Sequence, residues 1–188
     1  MPQKRRATSL TPPSPFKNSE LFSTHWLTHR LQSEPEWQEL RAGADSALSS
    51  IAKLWKAQAT RVQQYGSEQA LEAAFIQPVL KFLGWELIYQ PHLRGRRPDY
   101  ALFQSEESLQ LAVDAGRTNP DFWKYPVAVA DSKNWNISLD RPTIVNQQRE
   151  YPPEQIEWYL DRSELNYALL TNGKTWRLIP REHLMNLT

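Results

Sequence analysis

Two acids and a lysine carry the first chemical signal in this 188-residue chain. In RRPDYALF, residues 96–103, Asp99 follows Pro98 at the start of an apolar run. Farther on, VAVADSKNW ends a second apolar run on Asp131 and Lys133. Side chains alternate along an extended strand, so Asp131 and Lys133 share one face and Ser132 takes the other. Two hard carboxylates can hold Mg²⁺ while leaving positions for water and a phosphate. An ammonium beside them can orient the attacking water or neutralise charge developing on the phosphate. A D-x-K triplet alone is equally an ordinary charged strand end, so the weight rests on what surrounds it.

The surrounding pattern predicts the elements that must position these groups. Strands are expected at WELIYQ (85–90), PDYALF (98–103) and YPVAVADSK (125–133). A helix and a loop fill the interval between the second and third. Before them, SEQALEAAFIQPVLKFLGW reads as a helix with Leu71, Phe75, Val79 and Phe82 on one face, capped by Ser67. Pro78 removes the hydrogen bond to the Ala74 carbonyl and predicts a kink there. After the D-x-K strand, PPEQIEWYLDRS opens with prolines suited to a first helical turn. NYALLTNG and KTWRLIP then make two strands around the turn at Asn172-Gly173. The order α-β-β-(α)-β-α-β-β is that of an α/β domain with a mixed sheet and flanking helices.

The N-terminal part is different in kind. Residues 1–18 hold four basic and no acidic residues among many Pro, Ser and Thr, and read as a flexible basic tail. Residues 19–65 form a helical extension: a short helix, then a long one. On the long one Trp37, Ala44, Ile51, Gln58 and Tyr65 recur every seven residues, and Gly66 is the expected terminator. Trp26, Trp37 and Trp55 are assigned to packing between helices. The net charge of +1 says nothing about a partner. The absence of cysteine excludes thiolate metal sites and fits a cytoplasmic location. No apolar run approaches membrane-spanning length, so no membrane partner is expected. The chain lacks a P-loop, so no ATP motor is expected.

The ordered set Pro98-Asp99, then Asp131-Ser132-Lys133, inside this pattern resembles the PD-(D/E)XK nuclease superfamily. More narrowly, FIQPVLKFLGW, RRPDYALF, ADSKNWNISLD and LLTNGKTWRL look like the N-terminal nuclease domain of type IIG restriction–modification enzymes and of type I restriction motor subunits. The likeness covers roughly residues 66–180, and residues 66–188 are taken as the domain. It implies a restriction-endonuclease-like fold and a Mg²⁺-dependent endonuclease of a restriction or anti-phage system acting on double-stranded DNA. Asp99, Asp131 and an upstream helix glutamate would hold the metal, and Lys133 would be the catalytic lysine. The glutamate is Glu68, seven residues before the Phe75-Ile76 pair, or Glu72 one turn on. Asp131 stands where the superfamily more often has Glu, one methylene longer.

The likeness extends to a Q-x-x-x-Y helix, in which Gln155 and Tyr159 would contact the DNA backbone; they share a helix face at i, i+4. Arg94, Arg96 and Arg97, beside Asp99, are placed to grip flanking phosphates. A methyltransferase or specificity partner would lie on another chain or in a missing part of a longer one. The competing reading is a non-cleaving DNA-binding or assembly module that keeps the nuclease fold.

Overall fold

The computed structural model describes residues 22–145 and 148–181, so the expected basic tail lies outside the described residues. The described chain divides into two compact units between Arg41 and Ala42. In the first, Trp26–Arg30 is a π-helical turn and Leu31–Ser33 a 3-10 turn. Helix α1, Pro35–Gln58, begins there and runs into the second unit. It ends earlier than the heptad spacing predicts. The chain tightens into a 3-10 turn, Val62–Gln64, that drives Val62 fully into the core, while the Tyr65 hydroxyl donates back to Gln58 Oε1 at 2.7 Å. Gly66 is therefore not the helix terminator. Trp37 and Trp55 are also not enclosed, keeping 44% and 41% of their surface exposed.

Ser67 caps α2, Glu68–Leu71, by accepting from the Ala70 amide at 3.2 Å. The helix does not continue regularly. Glu72–Ile76 is a π-helical turn, and α3, Gln77–Phe82, follows it. Proline at 78 has no amide hydrogen to give the carbonyl four residues back, and the wider turn just before it absorbs that loss.

Strands β1 (Glu86–Tyr89) and β2 (Tyr100–Phe103) pair antiparallel, with Tyr89 opposite Tyr100. Helix α4, Glu106–Ala115, opens on a Ser105–Ser108 capping box. Strand β3, Ala128–Ser132, runs antiparallel to β2 and parallel to β6, Tyr167–Thr171. A parallel neighbour requires a crossover. It consists of a small hairpin, β4 (Thr143–Val145) with β5 (Gln148–Glu150), and helix α5, Pro152–Ser163. Strand β7, Trp176–Pro180, closes the five-stranded mixed sheet in the order β1-β2-β3-β6-β7. The α/β class and the strand order along the chain agree with expectation; the β4–β5 hairpin was not foreseen.

Strands β2 and β3 are buried at every residue because helices cover both faces. Tyr100, Leu102, Ala128 and Ala130 pack with Leu71, Phe75, Ile76 and Leu80 on one side. Ala101, Phe103 and Val129 pack with Ile156, Tyr159 and Leu160 of α5 on the other. Full burial of each large aliphatic side chain contributes roughly 1.5–3 kcal/mol. That rigid two-sided core holds the end of β3 between two helices.

Candidate active site

Asp99 lies one residue before β2, and its carbonyl accepts from the Gln90 amide at 2.8 Å, so the β1–β2 pairing continues to it. Past β3, the Lys133 amide donates to the Thr171 carbonyl at 2.8 Å and keeps that chain in line with β6. The β2–β3 register pairs Tyr100 with Ala130, which brings Asp99 beside Asp131. Asp99, Asp131 and Lys133 thus meet at one end of the sheet.

Alternation sends Asp131 and Lys133 one way and Ser132 the other. Asp131 and Lys133 lie on the α5 side and form an ion pair with each other, Lys133 Nζ to Asp131 Oδ2. Both are buried, at 2% and 7% exposure. Ser132, on the other side, faces the π turn. Its hydroxyl donates to Glu72 Oε1 and lies 2.8 Å from Asp99 Oδ2, and its amide donates to the same Asp99 oxygen at 2.6 Å. The Tyr89 hydroxyl donates to the remaining Glu72 oxygen at 2.9 Å.

Among the described residues, the acids whose oxygens converge to ligand spacing are Glu68, Glu72 and Asp99, all within 4.8 Å of one another. This trio could hold a metal ion. Both alternatives for the helix glutamate belong to it, because residues four apart stack on one helix face. Asp131, expected as a ligand, is engaged with Lys133 instead. An aspartate is short enough to fold onto a lysine two residues along the same strand face.

The electrostatics of the trio reflect like charge in a partly dry place. Burial, with Asp99 and Glu72 adding to it against the pull of Lys133, pushes Glu68 up to about 7. Burial also raises Glu72 and Asp99, against the hydrogen bonds each receives from Ser132. Lys133 is raised as well, but by charge and not by burial. Burial disfavours its charge, but Asp131, then Glu68 and Asp99, hold the ammonium above its ordinary value. Asp131 is raised by burial against the stabilising charge of Lys133. Three converging hard carboxylates suit a hard divalent cation.

The expected DNA-contacting residues fall into two groups. Gln155 Nε2 donates to the Tyr159 hydroxyl at 2.9 Å, as their spacing predicts. Tyr159 is 2% exposed and belongs to the core, with its hydroxyl 3.4 Å from the Arg97 carbonyl. Arg94, Arg96 and Arg97 are all exposed. They sit on and beside a tight turn in which Leu93 and Arg96 bond amide to carbonyl in both directions. Arg94 and Gly95 take positive φ of 43° and 88° there. The Arg96 guanidinium lies 4.5 Å above the Trp158 ring of α5.

Sequence reasoning missed Ser132 and Tyr89. The alternation rule does send Ser132 to the far face, and only the π turn packed there gives that face chemistry. Tyr89 carried no local signal beyond a strand residue. No family model, no curated protein and no solved structure matches this chain. Among the described residues, no helix is long and apolar enough to cross a membrane.

Proposed function

We propose that the chain is a metal-dependent endodeoxyribonuclease of the PD-(D/E)XK kind, with a restriction-endonuclease-like fold, serving a restriction or anti-phage system. The observation that carries this reading is the convergence of Glu68, Glu72 and Asp99 beside the protonated Lys133 at one end of a mixed sheet. The order Pro-Asp, then D-x-K, supports it. Glu68, Glu72 and Asp99 would hold the cation, and Mg²⁺ is the natural choice for hard oxygen ligands next to a phosphate. Bound there, it would supply Lewis-acid polarisation of the phosphate and of the attacking water.

The protein's own groups complete the chemistry. Asp131 keeps Lys133 charged, so the lysine acts as an electrostatic group and not as a general base. It stabilises negative charge growing on the phosphate as the water attacks. The exposed arginines before Asp99 grip neighbouring phosphates, and their contribution weakens with salt. Gln155 fixes the Tyr159 hydroxyl, and through it the Arg97 backbone, so that pair supports the arginine turn from within.

The test is nicking of supercoiled plasmid with Mg²⁺ by the full chain, beside Asp99→Asn and Lys133→Ala. Wild type is expected to cleave and both variants to lose at least about a hundredfold in rate, the scale of a lost electrostatic group. Cleavage unchanged in both variants would sink the assignment. Salt-sensitive DNA binding without cleavage by the wild type would favour the non-cleaving module.

A further inference from the structure

We infer that Ser132 is a positioning residue that sets the affinity of the carboxylate trio for a divalent cation; this rests on the metal-dependent reading above. Ser132 is the last residue of β3 and is wholly buried. It touches two of the three acids through separate groups. Its amide is committed to Asp99 Oδ2, a bond fixed by the backbone of a central strand. Its hydroxyl has one proton to give and stands between Glu72 Oε1 and Asp99 Oδ2. With Tyr89 on Oε2, Glu72 is held at both oxygens.

These contacts answer a physical problem. Glu72 and Asp99 come from chain segments far apart, repel each other, and gain entropy by turning away. A glutamate has three side-chain torsions, and an unrestrained one would carry its oxygens out of the 4.8 Å cluster. The Ser132 hydroxyl ties Glu72 to the strand, and the amide of the same residue ties Asp99. Two of three ligands are thereby set before any cation arrives. Such groups behind a metal's ligands typically contribute 10- to 100-fold in affinity.

The experiment is calorimetric titration of the full chain with Mn²⁺, comparing wild type, Ser132→Ala and Ser163→Ala. Ser163 is the control: a buried serine whose hydroxyl donates to the Tyr159 carbonyl. Ser132→Ala is expected to weaken Mn²⁺ binding by about 10- to 100-fold, and Ser163→Ala to leave it unchanged. Raising Mn²⁺ should bring nicking by Ser132→Ala back toward the wild-type rate, since the reacting groups remain. Ser132→Cys, nearly isosteric and a poor donor, carries the same prediction if the alanine variant does not fold. Wild-type affinity in a folded Ser132 variant, with Glu68→Gln failing to bind, would overturn the inference alone. A wild-type chain that binds no Mn²⁺ would overturn the metal-dependent reading beneath it.

Discussion

The two faces of the sheet at the end of β3 carry similar numbers of charged groups and treat them in opposite ways. On the α5 side, Asp131 and Lys133 are paired with each other. At the π turn, Glu68, Glu72 and Asp99 crowd together: Ser132 and Tyr89 hold Glu72, the Ser132 amide holds Asp99, and the cation acting on them, Lys133, is already paired with Asp131. Side-chain hydrogen bonds can fix the direction of a carboxylate without cancelling its charge. The first face is built for stability of charge, and the second leaves a deficit that protons or a cation must fill.

The largest expected effect breaks the balanced face. Lys133→Ala leaves Asp131 buried without its partner, which typically costs about 3–5 kcal/mol. Denaturant unfolding at pH 8 would show this, and the loss should shrink at lower pH as Asp131 takes up a proton. The double change Asp131→Asn with Lys133→Met should recover most of the stability and none of the nicking. A stable Lys133→Ala at pH 8 would mean that the face is not self-balanced.

A smaller effect sharpens the unbalanced face. Glu68 titrates at about 7 in the folded chain against an ordinary 4.5. Between those values the folded protein holds a proton that the unfolded chain has released. Its contribution to stability is therefore full below about 4.5 and is lost as pH rises through about 7. Without divalent cations, the melting temperature should fall across that window, and Glu68→Gln should flatten the fall. Mg²⁺ should restore stability at pH 8 and do little at pH 5, where Glu68 is protonated. A pH-independent melting temperature would contradict the charge deficit.

The smallest effect asks which face the nucleic acid follows. Arg96 stacks on Trp158 of α5 and is otherwise exposed. Arg96→Ala should weaken DNA binding equally for all sequences and reduce the salt slope by about one. An unchanged slope would place the DNA backbone away from the α5 side of the Arg94–Arg97 turn.

Much of this was legible without a structure, for local reasons. The strands, the Ser67 cap and α5 follow from periodicity, side-chain oxygens and proline placement, all of which act within a few residues. The end of α1 was misjudged because the heptad pattern continues past the point where Val62 must enter the core. The β4–β5 hairpin, short and set apart from the main sheet, has too little apolar alternation to announce itself. Trp55, assigned to packing between helices by type, stacks on Trp135 and meets Phe75 edge-on, ring centroids 5.9 Å away in each case, yet keeps 41% of its surface exposed.

What the residues determined alone is that Asp131 and Lys133 share a strand face and that Glu68 and Glu72 share a helix face, since both follow from backbone periods of two and nearly four. Which acids come together was decided only by the tertiary structure. Ser132 and Glu72 are 60 residues apart, and their contact depends on the packing of the π turn against the end of β3. That packing gathers Glu68, Glu72 and Asp99 and leaves Asp131 to Lys133, because a short acid bonds the nearest buried cation on its own face.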